Sequence, residues 1–357
     1  MKTRCELNIV LKAFAIVSLL IFIGCDHKDL CYYHPHVAPM RVNVDWAKAN
    51  RPDMDGMTAF LFAMEEQRQE IKTTETTPNV HSISFELTEG NFRVAIFNST
   101  PSELGTLDFS DITDFDNAAV RVAQTKVPSW YSKLSVKSSD SYISGEPEWI
   151  AKGLCNIEVT KEMVDIAEKE YIDNGFSYDA RTVNVAGTVV PDSLTRKFNV
   201  EIVIAGISNY YSAEAVITGF VIGKKINSGE LLNETVSHII NRDYWKVIDT
   251  NITYKDSGSI KAAINCFGLP RFEQLQRNAN DNMITINITL ADRQTVMTYG
   301  PIPVGNLIIR DTLTNNLFLK LNFEPELPYV TPAEGEGSGF DIGFEDWEKE
   351  EIEILNH

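Results

Sequence analysis

Apolar and polar residues alternate along many short stretches of the chain, and this period of two restricts the fold more than any other feature. The clearest stretch is 284–290, where Ile or Leu occupies each even position and Thr or Asn each odd one. Stretches at 42–46, 83–87 and 198–204 repeat the pattern. Successive side chains of a strand point to opposite sheet faces, so each stretch predicts a strand with one buried face. Many short strands with turns between them indicate an all-β fold built of sandwiches.

Turn residues join two pairs of these stretches. The sequence Thr-Glu-Gly-Asn at 88–91 predicts a hairpin over 83–97, and a turn at 206–209 predicts a second hairpin over 198–222, because Gly and Asn favour tight connections between antiparallel neighbours. The first hairpin is expected to face Phe92, Val94 and Ile96 inward.

Helical signals are few. Thr160 is a candidate cap for a helix through Tyr171, since a threonine hydroxyl can accept a bond from an amide of the first turn. A short helical turn is also expected over 259–266, ended by Gly268 and Pro270.

The N-terminus has the pattern of an export signal. Lys2, Arg4 and Lys12 precede an uncharged apolar run at 13–24, which is shorter than the roughly 20 residues that a membrane span needs. The run ends directly at Cys25, and residues 22–25 (Phe-Ile-Gly-Cys) resemble the lipobox of bacterial lipoproteins. We therefore expect cleavage before Cys25 and acylation of its thiol, with outer-membrane anchoring on the cell surface. An ordinary secretory signal with an incidental Cys25 is the alternative.

Composition and motifs divide the rest of the chain into four further segments. The tail is acidic and glycine-rich, and its end carries a terminal strand in one interpretation, either docked on its own domain or donated to a neighbour's sheet. The predicted segments are a signal peptide at 1–24, a lipidated tether at 25–39, an N-terminal β-sandwich domain at 40–180, a C-terminal β-sandwich domain at 181–330 and the tail at 331–357.

The charge balance excludes one class of partner. The formal net charge is -18, and removal of Lys2, Arg4, Lys12 and Glu6 with the signal, a net +2, makes it -20. Nucleic-acid binding relies on clustered Lys and Arg, so we expect no nucleic-acid partner.

The cysteines that remain besides Cys25 are Cys31, Cys155 and Cys266. This odd and sparse set predicts no disulfide framework.

The sequence contains no recognised catalytic motif. A lone His among strands is more often a satisfied or exposed side chain than a general base, which applies to His81 and His238. We therefore expect neither enzymatic activity nor a cofactor. Dispersed carboxylates of a glycoside hydrolase stay open as an alternative, because they leave no sequence signature.

Two segments offer potential metal ligands, but neither spacing matches a known template. The interpretation favoured for both is a solvated segment, with metal binding as the alternative. The residues are Asp108, Asp111, Asp114 and Asp116 in an acidic loop, and His27, His34 and His36 in the tether.

Paired aromatic residues suggest a second kind of surface. Trp130 and Tyr131 follow Pro128 and Ser129, in a segment without alternation. Such rings can stack on sugars, which makes this pair the candidate ligand-binding site, whereas core packing is the alternative.

Several motifs resemble one family. The lipobox-like cysteine, the strand at 40–46, the motif Leu-Thr-Glu-Gly-Asn-Phe at 87–92 and the motif Pro-Asp-Ser-Leu-Thr at 191–195 resemble FimB-like fimbrial anchor and minor-subunit lipoproteins of Bacteroides-type bacteria. Thr-Gly-Phe at 218–220 and Phe-Gly-Leu-Pro at 267–270 are most similar to a domain-of-unknown-function branch of that superfamily.

The resemblance implies two transthyretin-like β-sandwich domains in tandem, lipid attachment at Cys25 and a role as anchor or accessory subunit of a surface fimbria or in cell adhesion. Partners would be pilus subunits bound by β-strand donation, although no obvious donor segment or arginine cleavage site precedes the first strand. A glycan-binding surface lipoprotein is the alternative function. The segments Asp-Ser-Leu and Asp-Thr-Leu also resemble O-glycosylation sites of the same bacteria, at Ser193 and Thr312.

Overall fold

The computed structural model describes residues 36–49, 55–64, 71–99, 104–110, 112–133, 142–175, 177, 183–251, 256–271, 277–322 and 326–333. Strands dominate these residues, which confirms the all-β fold class. The strands are, in chain order, β1 (Ala38–Val44), β2 (Met57–Ala63), β3 (Ile71–Thr77), β4 (Ser82–Leu87), β5 (Gly90–Phe97), β6 (Leu107–Ser110), β7 (Ala119–Val122), β8 (Tyr142–Ser144), β9 (Ala151–Val159), β10 (Asn184–Val189), β11 (Asp192–Ser193), β12 (Arg196–Ala205), β13 (Tyr210–Val221), β14 (Gly223–Lys225), β15 (Thr235–Ile240), β16 (Lys246–Asn251), β17 (Ser257–Cys266), β18 (Met283–Leu290), β19 (Val296–Pro303), β20 (Ile308–Arg310) and β21 (Leu317–Asn322).

The described residues contain few helices, and most of these are short. The α-helices are α1 (Ser129–Ser132) and α2 (Lys161–Asp173), and single 3₁₀ turns occupy Ala47–Ala49, Ile207–Asn209, Arg242–Tyr244, Ala279–Asp281 and Gly305–Leu307. The strands form sheets with the orders β10-β1-β4, β11-β9-β5-β2-β3, β16-β17-β12-β21-β20, β19-β18-β13-β15-β8 and β14-β7-β6.

The chain divides into two compact units. The first comprises residues up to Val42, Ser84–Asn91 and Ile157–Gly187. Its helix α2 begins where the sequence predicts, because the Thr160 hydroxyl accepts a bond of 3.3 Å from the amide of Met163. The buried residues of α2 are Val164 and Ala167.

The second unit comprises Asn43–Ile83, Phe92–Asn156 and Thr188–His357. Two of its five-stranded sheets bury alternate side chains in one core. Phe198, Val200, Ile202 and Ile204 of β12 enter this core from one sheet, and the even-numbered residues of β18 enter it from the other. The rings of Phe198 and Phe220 meet edge to face at 5.0 Å. The buried faces predicted from alternation are thus confirmed.

Both predicted hairpins are wrong, although their strands are present. β4 pairs in the sheet β10-β1-β4, whereas β5 lies between β9 and β2 in another sheet. Likewise β12 lies beside β17 and β21, whereas β13 lies beside β15 and β18. Alternation records which face of a strand is buried but not which strand is its neighbour. A short link can therefore cross between sheets as readily as it can close a hairpin.

The helical turn expected over 259–266 is also wrong. These residues belong to β17, which pairs antiparallel with β12 along its whole length and with β16 on its other side. Pairing on both edges and the burial of Ile260, Ala262 and Ile264 outweigh the helical preference of the alanines.

Strands from both halves of the chain meet in two sheets of the second unit. β8 pairs parallel with β15, and β14 pairs antiparallel with β7. The tandem arrangement, with domains at 40–180 and 181–330, stays a prediction.

Candidate functional site

The proposed lipid site lies outside the described residues, which begin at His36. Cys25 and Cys31 therefore have no structural account, and neither do His27 and His34 of the tether. His36 places Nδ1 3.2 Å from Oε2 of Glu168 within the first unit. No helix in the described part of the chain is long and apolar enough to cross a membrane.

The Trp130–Tyr131 pair lies on helix α1, and both rings pack against a sheet. Their ring centroids are 5.6 Å apart in an edge-to-face contact. Both half-buried side chains cover a small apolar cluster of Ile143, Val216 and Ile239. The indole nitrogen of Trp130 is buried without a hydrogen-bond partner among the described residues. This geometry favours packing as the main task of the pair, and a ligand-binding role there stays a prediction.

The second unit contains a polar cleft of about 1390 Å³, which the sequence did not indicate. The segment 145–150 between β8 and β9 contributes to its wall, including the half-buried Trp149. Tyr244, Asn315 and Asn316 are among the other lining residues. Aromatic rings beside amide groups are the chemistry that holds sugars and other polar ligands.

The two carboxylates of this wall accept bonds from backbone amides. Glu148 Oε2 accepts from the amide of Thr106 at 2.9 Å, and Thr106 Oγ1 accepts from the amide of Glu148 at 2.8 Å. Glu146 Oε1 accepts from the amide of Asn265 at 2.8 Å. These bonds fix the segment in place, so both carboxylates have a structural task rather than the geometry of an acid and base pair.

Two lysines of the second unit are held largely out of water, and one of them, Lys224, lines the polar cleft. Lys224 is only 7% exposed and donates to the carbonyl of Leu194. Burial lowers the pKa of Lys224 to about 8 and that of Lys152, which donates to the carbonyl of Ile226, to about 8 as well. Burial, together with a hydrogen bond to Glu146, raises the pKa of Tyr244 to about 12. A lysine ammonium group that is surrounded by so little water is stabilised by anionic or strongly polar groups nearby.

The acidic loop is only partly described, because Asp111 lies outside the described residues. Asp114 accepts from the amide of Asp116 at 3.0 Å and from the Asn117 side chain at 2.7 Å, and thus closes its own turn. Asp116 lies 3.4 Å from Arg93. The described residues contain no group of three or more side chains arranged to hold a metal ion.

The two candidate glycosylation sites differ in accessibility. Ser193 lies on β11, and its hydroxyl donates to the carbonyl of Thr195 at 2.7 Å. Thr312 lies in an exposed turn beside Leu313, which is 92% exposed. Modification at either residue stays a prediction.

The motifs that carry the family resemblance shape the backbone. Gly219 has a φ of 81° at a bulge in β13, where the side chain of Asn282 donates to the carbonyl of Thr218 at 2.6 Å. Gly268 has a φ of 118°, and its carbonyl accepts from the amide of Val221 at 3.0 Å. Glycine tolerates such positive φ values, so these motifs specify fold rather than chemistry.

Several sheet edges of the second unit end without a further strand among the described residues. Pro301 and Pro303 interrupt donors on β19, and a bulge between Val247 and Asp249 distorts β16. β3 has no proline and pairs regularly with β2 from Thr73 to Thr77. An edge of this kind can accept a strand from another chain.

Comparison with known proteins places the chain in a family. The family described as a domain of unknown function, DUF5119, matches residues 24–241. No curated protein matches the chain.

Solved structures similar to the chain include an adhesin-like protein and fimbrial proteins of Bacteroides and Porphyromonas. A candidate adhesin from Bacteroides ovatus is 12% identical, with 85% of this chain and 99% of that chain covered and a TM-score of 0.46. The fimbrial anchor protein Mfa2 from Porphyromonas gingivalis is 10% identical, with 80% and 90% covered and a TM-score of 0.40. The tip fimbrial protein Mfa3 from the same organism, truncated at its C-terminus, is 9% identical, with 82% and 96% covered and a TM-score of 0.36.

Proposed function

This chain belongs to the DUF5119 family, and from that premise we propose that it is a lipid-anchored surface protein that serves as an anchor or accessory subunit of a fimbria in cell adhesion. The observation that carries the proposal is the position of Cys25, directly after an apolar signal and thirteen residues before β1. Thirteen extended residues span at most about 45 Å, so an acylated Cys25 would hold the β-body close to the outer membrane.

The β-body supplies what an assembly subunit needs. The proline-free edge of β3, which pairs regularly with β2 from Thr73 to Thr77, can accept a donated strand there, whereas prolines weaken the edge of β19. Bulges interrupt β16 and the first part of β3. Two of the four carboxylates that line the polar cleft, Glu146 and Glu148, accept bonds from backbone amides. Both features favour association over catalysis.

The test of the lipid anchor is a Cys25→Ser variant expressed in its own cells, with Cys31→Ser as the matched control. We expect the Cys25→Ser product to leave the detergent phase and the control to stay in it. Fibres on cells that carry only the Cys25→Ser protein should be fewer or detached. Unchanged retention together with unchanged fibres would refute the proposal.

A second candidate function is glycan capture, and the polar cleft favours it. Trp149 and Tyr244 line this cleft together with amides, whereas Trp130 and Tyr131 cover an apolar cluster elsewhere. A glycan array with the mature protein should therefore show saturable binding that Trp149→Ala abolishes and Trp130→Ala leaves unchanged. If binding depends on Trp130 instead, the glycan site is the Trp130–Tyr131 pair. If no glycan binds, glycan capture is excluded.

A further inference from the structure

A groove of about 830 Å³ lies on the outer face of the sheet β16-β17-β12-β21-β20. We call it the lysine-edged groove. Its apolar lining includes Ile309, Phe318 and Ile248, which are 64%, 38% and 55% exposed. Ile309 is opposite Phe318 in the sheet register, Phe318 is opposite Asn199, and Asn199 is opposite Ala263. This row crosses four strands in the open, with Ile309 and Phe318 at one edge of the sheet and Asn199 and Ala263 beyond them.

The neighbouring row of the same face is charged. Lys320, Glu201 and Lys261 are opposite one another on three strands. Glu201 binds both ammonium groups, at 2.8 Å for Lys320 and 3.1 Å for Lys261. With Lys246 and Asp243, the lining contains three ammonium groups and two carboxylates. A face with a cationic excess stands out in a chain whose net charge is -18.

The last segment of this chain has the complementary composition. Residues 334–357 lie outside the described residues and contain nine carboxylates and one lysine. Phe340, Ile342 and Phe344 alternate with other residues, and Ile352 and Ile354 flank Glu353. In an extended segment, the alternation at 340–345 places Phe340, Ile342 and Phe344 on one side, and five carboxylates follow within 345–351.

The chain before this segment is bonded first to the end of β12, in the sheet of the groove, and then to the residue after β18, in the other sheet of the core. The amide of Leu327 donates to the carbonyl of Ala205, the last residue of β12, at 2.9 Å. Glu201 lies four residues back along β12, about 13 Å away. Ala333 donates to Ala291 at 3.2 Å, and the seven steps from Ala333 to Phe340 span up to about 24 Å. Since packed sheets are about 10 Å apart, this length exceeds the separation of the two sheets.

We propose that residues 340–354 dock in the lysine-edged groove of the same chain. The apolar side chains of 340–344 cover Ile309 and Phe318, and the carboxylates of 345–351 approach Lys246, Lys261 and Lys320. The contact removes an exposed apolar surface from water and partly neutralises the acidic tail. This inference does not depend on the proposed fimbrial function, and it specifies a cis contact rather than a strand donated to a neighbour.

Zero-length carbodiimide cross-linking of the full mature protein tests the contact, because the reagent joins ammonium groups to carboxylates that touch. An equal mixture of ¹⁴N-labelled and ¹⁵N-labelled chains separates cross-links within one chain from those between chains. We expect peptides that join groove lysines to carboxylates of 341–353, carrying one label only. Mixed labels would assign the tail to a second copy, and yields no higher than those of the exposed control Lys133 would show that the groove is empty. Either result overturns the proposal.

A matched pair of variants links the cross-links to the groove. Ile309→Glu adds a charge to its apolar row, and Leu313→Glu adds the same charge at an exposed residue that does not line it. Losing the burial of one Ile should lower the yield of groove cross-links about tenfold, whereas Leu313→Glu should leave it unchanged. Both positions are exposed, so both variants should fold, which circular dichroism checks. Equal yields in the two variants would overturn the proposal.

Discussion

Gly219 lies against the backbone of Asp281 so closely that a Cβ atom at this position would collide with the Asp281 carbonyl oxygen. The residue has a φ of 81° and lies at the bulge of β13. Both restrictions follow from the close approach of the segment before β18, whose Asn282 side chain donates to the carbonyl of Thr218. Glycine is therefore required by space and by conformation.

Replacing this glycine should destabilise the fold. Gly219→Ala combines an unfavourable φ with a backbone clash, for which we expect a loss of about 2–4 kcal/mol in the free energy of unfolding. Urea denaturation measures the change. Gly105→Ala is the matched control, because its Cβ would meet nothing within 4 Å. Equal stability of the two variants would contradict the role assigned to Gly219.

Lys224 should make the stability of the protein depend on alkaline pH. Burial lowers its pKa in the folded state to about 8 from an ordinary value of 10.5. Below pH 8 both states are protonated and the cost of the buried charge is constant. Between pH 8 and 10.5 the unfolded state binds more protons, so the contribution of Lys224 to stability rises with pH.

Comparison with Lys224→Met isolates this effect from other titrating groups. From pH 7 to pH 10.5 the wild-type protein should gain on the order of 3 kcal/mol relative to the variant. Urea denaturation at both pH values measures the gain, and the exposed Lys133→Met should show none. A difference between wild type and Lys224→Met that stays constant with pH would refute the prediction.

Trp130 should contribute to stability, because its half-buried ring covers Ile143, Val216 and Ile239. Trp130→Ala uncovers this cluster, for which we expect a loss of about 1–3 kcal/mol in the free energy of unfolding. Thermal unfolding followed by circular dichroism is the measurement. Val127→Ala, at a residue that is 49% exposed, should change little. A Trp130→Ala protein as stable as wild type would show that the ring packs loosely.

If the chain is O-glycosylated, Thr312 should be modified before Ser193. Thr312 lies in an exposed turn where Asp311 accepts from the Leu313 amide at 2.9 Å and from the Thr314 hydroxyl at 2.6 Å. The Ser193 hydroxyl is already bound to the Thr195 carbonyl. Intact-mass measurement on native protein should show a glycan that Thr312→Ala removes and Ser193→Ala retains. The reverse pattern would contradict this order.

The strands could be predicted because each leaves a local record of its buried face. Ile83, Phe85 and Leu87 are each at most 4% exposed, as alternation predicts. β18 differs, since Thr285, Asn287 and Thr289 are buried as well. Polar residues that alternate with apolar ones indicate that one face of the strand is exposed to solvent. Neighbouring parts of the chain can nevertheless cover that face after folding.

The candidate sites could not be predicted from local sequence patterns in the way the strands could. Trp130 and Tyr131 are adjacent aromatics in the sequence, yet their packing partners come from β8, β13 and β15. Trp149 and Tyr244 are 95 positions apart in the sequence and line one cleft. Only the joint occurrence of Glu146, Glu148 and Trp149 in a short segment without alternation offered a local signal.

The sequence alone determined the all-β class, the helix capped by Thr160 and the faces that its strands bury, because these depend on residues a few positions apart. Tertiary structure decided that β12 and β13 lie in different sheets, that 257–266 is a strand, and that a polar cleft and the lysine-edged groove exist. The physical reason is that strand pairing and surface shape depend on contacts between distant residues, whose backbone groups can bond to any strand of suitable length. Local sequence patterns do not specify which strands pair with one another.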